Sequence, residues 1–207
     1  MLAIVYLVAA TYFGDVICRR FFRLTSIQHR VAAGFLVGLL LSTWIVFLSA
    51  VLFHRTSQPL IAGNLVFLVL FAVVVLASRR WPNENIGNYS ARPPGHQYWD
   101  FVWLGACLVF ACWLMFATLG FKDGQFQIAF KAWTDFGANV SLTQSFALGK
   151  NFPPQHPFFP GEFIRYHFLF WFQTGNLEFL GLNPVWSINL LSLLSLLALM
   201  ILIATLG

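Results

Sequence analysis

The sequence predicts an all-α protein built as a bundle of transmembrane helices. Hydrophobic residues make up 59% of the 207 residues and charged residues only 9%, whereas a soluble domain carries roughly 25% charged residues. The apolar residues lie in long continuous runs and not in the alternating pattern of a membrane β-barrel. A soluble fold of this size could not bury so much apolar surface, so we expect the lipid bilayer to surround the chain.

Six runs approach the roughly 20 apolar residues needed to cross about 30 Å of hydrocarbon. They are Met1–Ile17, Val31–Phe53, Leu60–Ser78, Phe101–Gly120, Tyr166–Gly181 and Val185–Leu206. The first run is broken by Asp15, and the fifth is short and contains Gln173, Asn176 and Glu178. We therefore predict a polytopic bundle of about six spans, with a large extracytoplasmic loop between spans four and five.

The runs divide the chain into three parts. An N-terminal three-span membrane unit covers residues 1–78, a linker rich in Pro, Asn and Gly covers 79–100, and a second membrane unit covers 101–207 with its outer loop at 121–165. The chain ends directly after an apolar run, so we expect it to be the front part of a longer protein.

Charge distribution predicts the orientation in the plasma membrane. Segment 18–30 carries four arginines and segment 79–100 carries three, and Lys and Arg concentrate in cytoplasmic loops. This places the N-terminus and the loop 121–165 on the extracytoplasmic side. Because the arginines flank apolar runs and form no basic stripe interleaved with aromatic residues, they indicate membrane lipid as a partner and argue against nucleic acid.

The loop is expected to have two structural parts. Residues 126–148 have a patchy apolar content typical of a helix lying in the membrane interface, and Gly149 would end that helix. Four prolines follow between Phe152 and Gly161. Residues before proline are driven towards extended backbone, which predicts an open, rigid stretch here.

Asp135 is the first candidate for chemistry. It lies in an apolar segment close to the expected membrane surface, with Lys131 four residues before it. A carboxylate in this position could act as a general base towards an acceptor hydroxyl. The alternative is an aspartate that caps a helix or lies on its solvated face.

A second candidate cluster lies where the loop meets the fifth run. It consists of Glu162, Arg165, Tyr166 and His167. The planar guanidinium of Arg165 suits phosphate oxygens, although an arginine at the headgroup level also serves as an anchor. Glu162 could simply pair with Arg165.

No cofactor is predicted. Asp135, His156, Glu162 and His167 have side chains that suit zinc or manganese, but their spacing matches no metal signature. A divalent metal is therefore left out of the predicted site.

Part of the loop resembles a known family. The segments Trp133-Thr-Asp135, Ser145-Phe-Ala-Leu-Gly149, Asn151-Phe-Pro-Pro154, Pro157-Phe-Phe-Pro-Gly-Glu162 and Ile164-Arg-Tyr-His167 carry the likeness. They resemble the first outer loop of multispanning glycosyltransferases of the GT-C fold, closest to an uncharacterised branch named for a Tyr-Tyr-Tyr motif. This chain has Arg165-Tyr-His167 where that triplet stands, and His156-Pro where the branch has Asp-Pro.

The resemblance implies a polyprenyl-phosphate-linked sugar donor and transfer to an acceptor on the outer membrane face. It implies that Asp135 is the base, to which we add a phosphate site made of Arg165, Tyr166, His167, Glu162 and Lys131. Two other classes remain open. A secondary transporter would use Glu178 and Asn176 within the bilayer, and a non-catalytic assembly subunit would depend on no single acid.

Overall fold

The computed structural model describes residues 2–22, 26–80, 94–129 and 133–206. Within these ranges the chain forms seven helices and one two-stranded antiparallel sheet. The elements are α1 (Leu2–Phe21), α2 (Ile27–Leu52), α3 (Pro59–Ser78), α4 (Pro94–Thr118), β1 (Leu119–Lys122), β2 (Gln125–Ile128), α5 (Trp133–Ala147), α6 (Leu169–Phe179) and α7 (Pro184–Leu206).

Five of these helices are long and apolar enough to cross a membrane. They are α1, α2, α3, the Phe101–Thr118 part of α4 and the Pro184–Ala204 part of α7. The prediction of a polytopic helical membrane bundle is confirmed at this level. Helix α4 begins at Pro94, seven residues before its predicted start, and residues 81–93 of the predicted linker lie outside the described residues.

The expected fifth span, Tyr166–Gly181, is not formed. Helix α6 has 11 residues, and at 1.5 Å per residue it covers about 16 Å, roughly half of the hydrocarbon core. The Ala3 amide donates to the Leu180 carbonyl (3.3 Å), and Asn189 Nδ2 donates to the Leu119 carbonyl (2.8 Å). The end of α6 and the start of α7 therefore lie at the same end of the bundle as the start of α1 and the end of α4.

We call this end the capped end, and the described residues between 119 and 183 the cap. The cap contains the sheet, α5 and α6. Because α7 starts at the capped end, it runs antiparallel to α4, and Trp186 near its start packs against Phe116 near the end of α4 (ring centroids 4.9 Å apart). The cap thus joins α4 to α7 and contains no helix long enough to span a membrane among its described residues.

The closest helix contact lies between α1 and α2. A Cβ added to Gly38 would overlap the carbonyl oxygen of Ala10, and one added to Gly14 would overlap the carbonyl oxygen of Gly34. In lipid, helices associate through such small residues because burial of apolar side chains gives no advantage over contact with acyl chains. The Gly34-x-x-x-Gly38 pattern therefore fixes where α2 crosses α1.

Asp15, which interrupts the first apolar run, is neutralised inside the bundle. It is buried and pairs with Arg19 of its own helix and with Arg30 of α2, whose Nε lies 2.8 Å from Asp15 Oδ1. Removing one partner from such a buried group leaves an uncompensated charge, which is costly. The acid is therefore compatible with a spanning α1.

The sheet is a short hairpin at the capped end. Lys122 pairs with Gln125, and the turn residues Asp123 and Gly124 both have positive φ (52° and 78°). Two consecutive residues with positive φ form a tight turn whose twist matches that of the paired strands, and Asp-Gly is a preferred pair for it.

The expected helix over 126–148 is shorter than predicted. It starts at Trp133, after strand β2.

Replacing Gly38 with alanine tests the α1–α2 contact. The new methyl group would collide with the backbone of α1, so we expect Gly38→Ala to lower the free energy of unfolding by about 1–3 kcal/mol, as overpacking does. Thermal or denaturant unfolding in detergent micelles measures the change.

Gly105→Ala is the matched control. A Cβ at Gly105 of α4 meets nothing within 4 Å, and alanine favours helix over glycine, so this variant should be as stable as the wild type or slightly more so. Equal stability of Gly38→Ala and Gly105→Ala would contradict the close contact.

Candidate functional site

Helix α6 is the most buried part of the cap. Its residues from Phe172 to Leu177 are all buried, although they include Gln173, Thr174 and Asn176. Polar groups in such surroundings are costly unless they are hydrogen-bonded. Their partners therefore decide how α6 sits among the spans.

Gln173 connects α6 with α1 and α2. Its Oε1 accepts hydrogen bonds from the Thr43 hydroxyl (3.1 Å) and the Tyr6 hydroxyl (3.5 Å). Its Nε2 is buried and has no hydrogen-bond partner among the described residues. Among the described residues, only the oxygen of the Gln173 amide is therefore hydrogen-bonded, and its NH₂ group has no acceptor at the centre of this contact.

Asn176 connects α6 with α3. Its amide forms a reciprocal pair with the amide of Asn64: Asn64 Nδ2 donates to Asn176 Oδ1 (2.7 Å), and Asn176 Nδ2 donates to Asn64 Oδ1 (3.3 Å). Such interhelical hydrogen bonds in membrane proteins contribute on the order of 0.6–2 kcal/mol each. Together with Gln173, this pair joins α6 to all three N-terminal spans.

Helix α5 packs against the other side of α6. The hydroxyls of Thr143 and Thr174 lie 2.9 Å apart, and a Cβ on Gly175 would come within 2.6 Å of the Thr143 carbonyl oxygen. The rings of Phe146 and Phe172 meet edge to face at 5.5 Å. The two cap helices therefore form one packed unit that rests on the bundle.

Glu178, near the end of α6, is the acid with the most unusual environment. It is half-buried, and its Oε2 is enclosed without a hydrogen-bond partner among the described residues. Burial raises the pKa of this carboxyl from 4.5 to about 7, because the charged form loses solvation. Glu178 can therefore gain or lose a proton near neutral pH.

Four of the five residues predicted as a phosphate site lie on the surface of the cap. Arg165 and Glu162 are highly exposed and form an ion pair of 3.3 Å, which in water contributes little to stability. The rings of Tyr166 and His167 stack with centroids 3.7 Å apart, and both residues are exposed. These four side chains form one exposed cluster just before α6.

Asp135 lies elsewhere in the cap. It is exposed in the first turn of α5, where an acid interacts favourably with the helix dipole. Phe146, eleven residues later, packs against Phe168 next to the Arg165 cluster (ring centroids 6.1 Å apart). Eleven residues of helix cover about 16 Å, so α5 separates Asp135 from that cluster. Lys131 lies outside the described residues.

The stretch rich in proline folds differently from the prediction. The Phe159 amide donates to the His156 carbonyl (3.0 Å), and the Glu162 amide donates to the Phe159 carbonyl (3.1 Å). These are two successive turns with Pro157 and Pro160 in their second positions, where the fixed φ of proline is favourable. The expected open stretch is instead a compact double turn. Helix α5 ends at Ala147, two residues before Gly149 and close to the predicted end, and the positive φ (49°) falls on Lys150.

The ligand types considered for a metal are not assembled. Among the described residues no three His, Cys, Asp or Glu side chains group together in a way that could hold a metal ion. His156 and Glu162 are close through their backbones, since the His156 amide donates to the Glu162 carbonyl (2.8 Å). Asp135 lies apart on α5.

Comparison with known proteins gives no match: no family model, no curated protein and no solved structure is significantly similar to this chain.

The sequence indicates the α6 side of the buried polar contact and not the residues of the spans that it meets. Gln173, Asn176 and Glu178 stand out because they interrupt an apolar run. Asn64 and Tyr6 were missed, although Asn64 is a polar residue in the most apolar span, with a mean hydropathy of 2.9. A polar residue in such a helix is itself a signal for an interhelical partner.

Glu178 should make stability depend on pH. Its folded pKa of about 7 lies above the ordinary 4.5, so the folded state holds the proton over a range where the unfolded state has lost it. Stability is then fully present below about 4.5 and falls as pH rises through about 7. Glu178→Gln should remove this fall, and the variant should exceed the wild type in thermal stability at pH 8 but not at pH 4.

Glu162→Gln is the matched control, since Glu162 is an exposed acid of the same cap. It should leave the pH profile of unfolding unchanged. A wild-type profile that is flat between pH 4.5 and 7, or an equal effect of both variants, would refute the assignment to Glu178.

Proposed function

We propose that this integral membrane protein is a glycosyltransferase. It would move a sugar from a polyprenyl-phosphate donor to an acceptor at the extracytoplasmic face of the plasma membrane. The resemblance of the loop segments to GT-C enzymes suggests the reaction. The position of the Arg165 cluster supports it.

That position is the observation on which the proposal rests. Phe168, which follows the cluster, packs against Phe47 of α2 (ring centroids 5.1 Å apart), and Phe47 lies five residues before the end of that span. Five residues of helix cover about 7 Å, so the cluster lies close to the level at which α2 ends, where we expect the headgroups of the bilayer. A lipid-linked phosphate is held at this level, where Arg165 could bind its oxygens.

Asp135 would accept the proton of the acceptor hydroxyl. It is exposed at the far end of α5, about 16 Å from the Arg165 cluster. The transferred carbon of the sugar is bonded directly to the donor phosphate, so a base at Asp135 and a phosphate held at Arg165 cannot serve the same donor unless the two residues approach each other. The proposal therefore requires a rearrangement of the cap when the donor binds.

The catalytic test uses the protein in nanodiscs. We expect Asp135→Asn to abolish sugar release from the charged lipid while leaving polyprenyl-phosphate binding unchanged, because only the base is removed. Arg165→Gln should instead weaken binding of the lipid phosphate. Sugar release and thermal stabilisation by polyprenyl phosphate are the two measurements.

Asp123→Asn provides the control, since it changes an exposed aspartate in the hairpin turn to a residue that also accepts positive φ. This variant should retain both activities. Full turnover by Asp135→Asn would exclude Asp135 as the base, and an absence of binding and release in the wild type would remove the transferase proposal.

Orientation is tested with a cysteine at Gln125, an exposed position of β2. If the capped end is extracytoplasmic, Gln125→Cys should react with a membrane-impermeant maleimide in intact cells. The native cysteines are buried or partly buried, so the unmodified chain gives the background. Labelling only after the cells are opened would place the cap in the cytoplasm.

A secondary transporter is the second candidate, favoured by Glu178. A half-buried carboxyl with a pKa near 7 beside a buried amide contact could couple a proton to a solute. In that case Glu178→Gln would abolish function while Asp135→Asn would not. An assembly subunit would tolerate both changes.

A further inference from the structure

An aromatic finger projects from the cap. We define it as residues 155–163, which leave and return to the cap through a bridge between Gln155 and Phe163. Two side chains at its tip are largely exposed, Phe158 (54%) and Phe159 (64%). Phe163 (62%) and Tyr166 (68%) continue this exposed aromatic surface towards α6.

Hydrogen bonds within the finger fix its backbone. Besides the two proline turns, the His156 amide donates to the Glu162 carbonyl (2.8 Å), and the Gly161 amide donates to Gln155 Oε1 (3.3 Å). Gly161 has a φ of +93°, which the second turn requires after Pro160 and which glycine adopts without strain. The backbone of the finger is therefore held in one shape, with Phe158 and Phe159 exposed.

The base of the finger is anchored in the apolar core. Phe152 is buried and packs against Phe146 (ring centroids 5.8 Å apart) and Phe172 (6.1 Å). The Asn151 side chain bonds both the amide and the carbonyl of Gln155 (2.7 Å each). The finger thus has a fixed position relative to α6 and the membrane bundle.

We propose that the aromatic finger inserts into the lipid leaflet beside the capped end of the bundle. Its base lies at the level where α2 ends, as the contact between Phe168 and Phe47 places it. Phenylalanine is among the residues that interfacial elements bury at this level of a membrane, and a group of exposed aromatic side chains in water is otherwise a marker of an interaction surface.

The charges next to the finger fit the same partner. Arg165 and Lys150 are exposed on the two sides of the finger in sequence, where they can reach headgroup phosphates while the phenylalanines enter the acyl region. The inserted part would lie about 5–10 Å deep, as for other interfacial elements. This inference rests on the membrane bundle and the finger, and does not depend on the proposed transferase.

The test measures depth with nitroxide labels on the whole chain in nanodiscs of phosphatidylcholine and phosphatidylglycerol. Phe159→Cys carries the label at the tip, and Gln125→Cys carries it on the hairpin of the same cap, with Cys18, Cys107 and Cys112 changed to alanine. We expect the ratio of collisions with oxygen to collisions with a water-soluble nickel chelate to be several-fold higher at position 159 than at 125. Equal ratios would overturn the proposal.

A second measurement keeps the native cysteines. Benzoylphenylalanine replaces Phe159 and, as the control, Gln125, and the adducts formed on irradiation are identified by mass spectrometry. Phospholipid adducts at 159 and none at 125 support insertion. Adducts at 159 only with another protein would overturn it and assign the finger to a protein partner.

Discussion

The structure depends on α6, a short helix whose buried polar side chains need hydrogen-bond partners within an apolar bundle. Helix α6 buries Gln173, Thr174 and Asn176, and their hydrogen bonds reach Tyr6, Thr43, Asn64 and Thr143 on four other helices. Because an unpaired amide in this environment is costly, few positions of α6 are compatible with the fold. The same contacts fix the cap, and hence the surface cluster and the aromatic finger, at one end of the spans.

The partners of α6 are in turn positioned by the glycine contact of α1 and α2. Gly14, Gly34 and Gly38 allow the two backbones to touch, which sets the rotation of each helix about its axis. Tyr6 and Thr43 then face the same region, and Gln173 Oε1 can accept from both. A bulky residue at this glycine contact would therefore disturb both the packing of the spans and the hydrogen bonds that hold α6 against them.

The resulting molecule separates two kinds of polar group. Glu178 is half-buried near the end of α6 and has a raised pKa, whereas Asp135, Glu162 and Arg165 are exposed on the cap. The exposed groups are open to solvent, as the proposed transfer reaction requires. The enclosed acid suits a response to protonation. The two candidate functions therefore use different acids, which mutation can distinguish.

The sequence by itself determined the membrane class, the helical content and five runs that form membrane-length helices, because continuous apolar runs leave few other structures. Tertiary structure decided that the run 166–181 turns back within the cap, since the partners of Gln173 and Asn176 lie more than a hundred residues away along the chain. It likewise decided that Asp135 and Arg165 are held at opposite ends of α5, because the antiparallel packing of α5 on α6 depends on contacts that no local pattern encodes.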